Sequence, residues 1–235
     1  MTKQTIIILH GWGLNGSLYN SLAGILKERK YTVYNPDLPG FGKEPLGKNL
    51  GLDDYADFLD KFIEKNNVHR PILIGHSFGG RIAIKYVWKN PEKVSKLILT
   101  GVPIIRQRTL QKKIGFLAAK TGGKVFIVFP KAVKNKMRKL LYFAVGERDY
   151  YKLDNSPLKK VFKNIISEDL TGYLREIKIP ILLVWGENDV LTPSWMLPKI
   201  TKISPNAKIV LVPQKGHKLP YANYSLFFES IKNFI

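Results

Sequence analysis

The stretch "LIGHSFGGRIAI", residues 73–84, joins an apolar run to an amphipathic pattern through Gly75, His76, Ser77, Phe78, Gly79 and Gly80. An apolar run that gives way to helical spacing across a glycine-rich turn reads as a buried strand followed by a helix. A serine between small residues at such a junction matches G-x-S-x-G, a sharp turn that strains the serine backbone and lifts its hydroxyl above a sheet. The five-letter pattern is weak by itself; after "PILI" and before a helical pattern it is specific.

The same alternation extends in both directions. Apolar runs rich in Ile, Val and Leu occur at 5–11, 31–37, 71–77, 96–102, 180–189 and 208–213. Continuous apolar runs, as opposed to strict alternation, characterise parallel strands covered on both faces. Between them, 52–66, 79–90 and 226–235 carry apolar residues at helical spacing, the first with acids in its opening turn. The series predicts an α/β fold with a doubly wound, mostly parallel sheet of six strands, whose sites lie at the carboxyl ends of the strands. Residues 104–169 break the rhythm: no core strand is evident, and the segment is too long for a connection. The expected organisation is a core in two parts, 1–103 and 170–235, with 104–169 inserted as a helical cap.

Composition narrows the class. The 235 residues are 45% hydrophobic and contain no cysteine, which excludes disulfides, thiolate nucleophiles and cysteine metal sites. No apolar stretch approaches the roughly 18–20 residues of a spanning helix. The opening "MTKQTIIILHG" lacks the apolar core of a signal peptide, so a cytoplasmic protein is expected. The four histidines, His10, His69, His76 and His217, are scattered and suggest no metal cluster.

A serine hydroxyl needs a base, and the base an orienting acid. In this architecture the order is Ser, then acid, then His. Downstream of Ser77, "VWGENDVLTP" offers Glu187 and Asp189, and "VPQKGHKLP" offers His217, each on a loop after a strand. Only His217 lies beyond the acid. Asp189 is preferred for its shorter carboxylate, with Glu187 read as a solvated or loop-fixing residue. Asp37, in "NPDLPGFG", precedes the serine and reads as a turn-stabilising aspartate. For an oxyanion hole, the first donor is the N–H of the residue after the nucleophile, Phe78. The second is the N–H of Trp12 in "HGWG", which directly follows the first strand. The Trp12 indole either walls an acyl pocket or simply packs.

The set "HGWG", "PDLPGFG", "GHSFGG", "WGENDVLTP" and "GH" resembles the α/β-hydrolase superfamily across essentially the whole chain. Within it, "HGWGLN" with "DLPGFG" is most similar to the pimeloyl-acyl-carrier-protein methyl ester esterases; small bacterial carboxylesterases and lactone hydrolases share much of the pattern. The resemblance implies a Ser77–His217–Asp189 triad, amide donors from Trp12 and Phe78, and no metal or organic cofactor. Two departures stand out. The chain enters its first strand within five residues, short of the first one or two strands of the fuller fold, and "KLPYANY" after His217 lacks the acidic residue many relatives carry. A serine at position 77 excludes haloalkane dehalogenases and epoxide hydrolases, which use aspartate there. Perhydrolases and C–C bond hydrolases keep the serine and remain alternatives to a carboxylesterase, as do lactonases and acyl-carrier-protein ester hydrolases. A binding module that merely keeps the fold has no need of all three groups.

The net charge is +20, and between 104 and 146 stand eleven Lys or Arg with no Asp or Glu: Arg106, Arg108, Lys112, Lys113, Lys120, Lys124, Lys131, Lys134, Lys136, Arg138 and Lys139. A basic cap over the site would steer an anionic partner toward it. The resemblance implies an acidic acyl carrier protein; an anionic membrane surface is the competing reading, and a solvated cap without a partner the bland one. Nothing resembles a nucleic-acid recognition motif. Apolar cap residues such as Phe116, Leu117, Phe126 and Phe129 either line an acyl pocket or pack onto the core, with Leu140, Leu141, Tyr142 and Phe143 favoured as pocket-facing.

Overall fold

A computed structural model describes residues 4–47, 50–105 and 157–235. Six parallel strands form one sheet in the order β2-β1-β3-β4-β5-β6. They are β1 (Thr5–Leu9), β2 (Thr32–Tyr34), β3 (Ile72–His76), β4 (Lys96–Thr100), β5 (Ile181–Gly186) and β6 (Ala207–Val212). The first helices are α1 (Asn20–Glu28), α2 (Leu52–Lys65) and α3 (Phe78–Lys89). They are followed by α4 (Pro157–Ser167), α5 (Thr171–Glu176), α6 (Leu197–Ile203), α7 (Leu219–Ala222) and α8 (Tyr224–Ile231). Among the described residues no helix is long and apolar enough to cross a membrane.

The continuous apolar runs are explained by two cores, one on each face of the sheet. Successive side chains of a strand point to opposite faces. Ile7, Leu9, Leu73, Leu97, Leu99, Leu183 and Trp185 accordingly join one core with α2 and α3, while Ile6, Ile8, Ile72, Ile74, Ile98, Leu182 and Val184 join the other with α1 and α8. Central strands buried on both sides are apolar along most of their length, with the buried polar residues His76 and Thr100 at their carboxyl ends. The edge strand β6 shows the contrast, with Ile209 and Leu211 exposed.

Two elements differ from the sequence reading. The run 31–37 forms a strand over only Thr32–Tyr34. Pro36 has no N–H for a ladder, and beyond it Asp37 turns the chain by accepting the amides of Gly16 and Lys43, both at 2.8 Å. The helix expected at 226–235 is α8, which starts at Tyr224 and ends at Ile231, and the short α7 precedes it across Asn223.

The segment after α4 is held to the core by two buried cations of α3. The Arg81 guanidinium donates to the carbonyls of Pro103, Ile165 (2.7 Å) and Glu168 (2.6 Å), so that it closes the C-terminal end of α4. Among the described residues its Nε has no partner, and burial lowers its pKa to about 10, which leaves it cationic at neutral pH. One turn on, the Lys85 ammonium contacts Glu168 at 2.9 Å, Asp53 at 3.2 Å and the Tyr173 hydroxyl at 3.1 Å. Removing Arg81 deletes the three hydrogen bonds by which α3 holds these carbonyls. Arg81→Met is therefore expected to lower unfolding free energy by about 2–4 kcal/mol, read as a fall in the urea midpoint at unchanged m-value.

Candidate active site

Ser77 stands between β3 and α3 at φ 50°, ψ −110°, a conformation that costs a non-glycine residue on the order of 1–3 kcal/mol. Hydrogen bonds overdetermine it. The Ser77 amide donates to the Thr100 carbonyl at 2.9 Å, Arg81 N–H to the Ser77 carbonyl at 3.3 Å, and Gly79 N–H to the His10 carbonyl at 3.0 Å. The flanking glycines are required by close approach: a Cβ on Gly75 would lie 2.4 Å from the Gly80 Cα, and one on Gly79 would lie 2.2 Å from the Leu9 carbonyl oxygen. The strand, the elbow and the loop after β1 touch backbone to backbone.

The acid and the imidazole arrive on neighbouring loops, after β5 and β6. These loops are knitted together by Glu187 N–H to the Val212 carbonyl (3.0 Å) and Asn188 N–H to the Lys215 carbonyl (2.7 Å). His217 Nδ1 lies 2.8 Å from Asp189 Oδ2. The same oxygen accepts the Thr192 hydroxyl at 2.7 Å, and Oδ1 accepts the amides of Leu191 and Thr192, each at 2.9 Å. Burial alone would raise the Asp189 pKa; the hydrogen bond and charge of His217 and the Thr192 donors outweigh it, and the carboxyl lies below its usual value. An ionised Asp189 accepts at Oδ2, so His217 carries its proton on Nδ1 and presents Nε2 as the basic atom. Glu187, by contrast, is exposed and accepts the Gln214 amide at 3.2 Å.

The structure brings the loop after β1 against the elbow. The Phe78 amide is the first N–H of α3, a group that the helix's own ladder leaves without an acceptor. Trp12 packs edge-on against Phe78 (5.2 Å between centroids), Phe41 (4.9 Å) and Phe162 of α4 (4.8 Å). The indole is thus part of an aromatic cluster between the core and α4. Leu140, Leu141, Tyr142 and Phe143, the four other expected pocket residues and the eleven basic residues between 106 and 139 lie outside the described residues.

Several site residues escaped the sequence reading. Gly101, directly after β4, has φ +59°, and a Cβ there would stand 2.8 Å from the His217 ring and 3.3 Å from Asp189 Oδ2. Its signal was present as a glycine ending a strand. His10 is structural: Leu38 N–H donates to its Nε2 at 2.9 Å, so the Nδ1 proton goes to the Gly11 carbonyl at 2.8 Å.

The chain and its fold have counterparts among known proteins. A model of the alpha/beta hydrolase fold matches residues 4–223. The chain belongs to that family and is an enzyme of the hydrolase class. Among its relatives is the pimeloyl-[acyl-carrier protein] methyl ester esterase of Wigglesworthia glossinidia brevipalpis, 30% identical over 98% of this chain and 93% of the relative. The protein of the same name from Shewanella woodyi is 31% identical over 91% of this chain and 87% of its own. Among solved structures, an esterase from Exiguobacterium antarcticum superposes with a TM-score of 0.75 at 21% identity, covering 99% of this chain and 92% of its own.

Two tests follow from the packing. Gly101→Ala, which combines a disfavoured φ with a collision against the His217 ring, is expected to lower kcat by about 10²-fold while the protein stays folded by circular dichroism. The second concerns His10 and His76, both buried, whose pKa values burial depresses below 6.5. The unfolded chain binds their protons first, so the stability they contribute is intact above pH 6.5 and fades as pH falls toward their folded values. Urea unfolding should show a loss of up to about 1.4 kcal/mol per pH unit per imidazole below that point. A flat profile between pH 7 and pH 5 would contradict neutral buried rings.

Proposed function

We propose that the protein is a serine carboxylester hydrolase working through an acyl-enzyme, with Ser77 as nucleophile, His217 as general base and acid, and Asp189 as the group that holds the imidazole. The observations that carry this reading are the 2.8 Å contact between His217 Nδ1 and Asp189 Oδ2, which leaves Nε2 free for proton transfer, and the strained backbone of Ser77 at the strand–helix turn. Nε2 takes the Ser77 hydroxyl proton as Oγ attacks the ester carbonyl, and the amides of Phe78 and Trp12 receive the oxyanion. Collapse breaks the bond to the alcohol oxygen, which leaves with the proton from His217. Water then loses a proton to Nε2 and attacks the acyl carbon; Ser77 regains a proton, and the products are a carboxylate and an alcohol.

The substrate we infer is a methyl ester of an acyl chain borne on an acyl carrier protein. The names of the relatives support it, as does the concentration of eleven cations and no acid in residues 104–146. Residues 104–169 would form a cap over the mouth, a reading supported by α4, whose Phe162 packs on Trp12. Carriers are acidic, so association with a basic cap should weaken with salt.

Hydrolysis of p-nitrophenyl esters from C2 to C12 and of carrier-bound pimeloyl methyl ester tests both levels. Ser77→Ala should remove turnover by about 10⁴-fold or more on every substrate. Retained turnover in pure Ser77→Ala protein would overturn the acyl-enzyme. For the carrier-bound ester, kcat/KM should fall steeply between 50 and 500 mM salt, by about tenfold or more, while the p-nitrophenyl esters change little. Equal salt responses would remove the carrier from the proposal.

A further inference from the structure

His76, the residue before the nucleophile, is 1% exposed, yet it is not inert packing. Its Nε2 lies 2.9 Å from the His217 carbonyl oxygen and its Nδ1 lies 2.6 Å from the Tyr19 hydroxyl. A carbonyl can only accept, so Nε2 carries the proton. In a neutral imidazole Nδ1 is then bare and accepts, and the Tyr19 O–H donates to it. The Tyr19 oxygen in turn accepts the Gly11 amide at 3.3 Å. Every donor in this chain of bonds points one way: Gly11 N–H to Tyr19, Tyr19 O–H to His76, His76 Nε2–H to the main chain of His217.

The rings are packed as firmly as they are bonded. The centroids of His76 and His217 are 4.8 Å apart, and Tyr221 lies edge-on to His76 at 5.9 Å. A Cβ on Gly11 would touch His76 Nδ1 at 3.0 Å, so the loop after β1 rests directly on the ring. Tyr19 is fully buried, and burial drives its hydroxyl pKa upward, which keeps the proton on the phenol. The groups facing His76 are thus Tyr19, Tyr221 and His217, with His10 nearby; none is a carboxylate that would favour an imidazolium.

We propose that His76 is a positioning residue for the reaction: locked in one tautomer by Tyr19, it anchors the backbone of His217 and ties the loop bearing the base to the loop bearing Trp12. This rests on the reading of His217 as the base. Asp189 fixes the rotation of the His217 ring from one side; His76 fixes where its main chain sits. Neither restraint substitutes for the other. The aspartate acts on a side chain that could still swing with its loop, and the carbonyl anchor removes that freedom. The two groups that must meet the reacting carbonyl, base and amide donor, are thereby set relative to each other through a bonded path of three residues, Gly11, Tyr19 and His76, ending on His217.

His76→Phe keeps the ring volume and deletes both hydrogen bonds. It should lower kcat by about tenfold with KM nearly unchanged, because a misplaced base affects the chemical step more than substrate binding. His76→Gln, whose Nε2 can still donate to the His217 carbonyl, should restore most of that loss. The His217 Nδ1 proton shared with Asp189 gives a readout independent of turnover: a low-field proton resonance, sharp in the unmodified protein and broadened in His76→Phe. Should His76→Phe fail to fold, Tyr19→Phe serves instead, with about a threefold fall in kcat and the same broadening expected from a freed tautomer. The proposal is overturned if the folded Phe variant (or Tyr19→Phe in its place) keeps both the parent kcat and the sharp resonance. It is equally overturned if Gln fails as completely as Phe, since packing alone would then matter. Were Ser77 unreactive toward a fluorophosphonate in the parent protein, the triad reading would fall. The resonance would still report whether His76 holds His217.

Discussion

The backbone of Ser77 is the constraint on which the rest of this structure depends. A φ of 50° with ψ near −110° is unfavourable for serine and persists only because its surroundings leave no alternative. Gly75 and Gly80 touch backbone to backbone on either side of it, and the amide of Gly79 is drawn to the His10 carbonyl of the neighbouring strand's loop. Substituting bulk for any of these glycines would push apart a strand, a helix and a loop that the site needs in contact. The elbow therefore does two jobs at once: it exposes a hydroxyl, and it pulls the amide-bearing loop after β1 against the first turn of α3.

Around that turn most buried side-chain polar groups have matched partners, the Arg81 Nε excepted. Asp189 accepts from two amides, one hydroxyl and one imidazole, which together outweigh its desolvation. His76 and Tyr19 are buried with no carboxylate facing them, and at His10 burial outweighs the charge of Asp37; all three are held neutral, and each bond they make then has a single possible direction. Neutral rings in fixed tautomers make stiff struts. Further along α3, Arg81 and Lys85 do the same for the end of α4, here with charge, since carbonyls and carboxylates converge there. One helix thus carries the elbow at its first turn and the anchor of α4 at its next two.

Much of this is legible in the sequence. The six strands could be read because parallel strands buried on both faces leave uninterrupted apolar runs, and Ile6–Ile7–Ile8 sends alternate side chains into two different cores. Asp189 and His217 could be nominated because both follow strands, and chain order left His217 as the only histidine beyond the acid. The short β2 was harder to foresee, since its end is decided by Pro36 and the turn that Asp37 closes with residues 16 and 43. Gly101 was visible only as a glycine. Its role comes from a ring supplied 116 residues later.

The sequence by itself determined the fold class, the strand–turn–helix around Ser77 and the nomination of acid and base, because these depend on local spacing and on order along the chain. What only the tertiary structure decided is how His76 and Tyr19 are used. Nothing in "GHS" or "SLY" announces that a histidine will hand its Nε2 proton to a carbonyl 141 residues away while a tyrosine fixes its tautomer. Such a chain of bonds exists only when β1, β3 and the loop after β6 are already stacked. The direction of each proton is then set by what the neighbouring atom can accept.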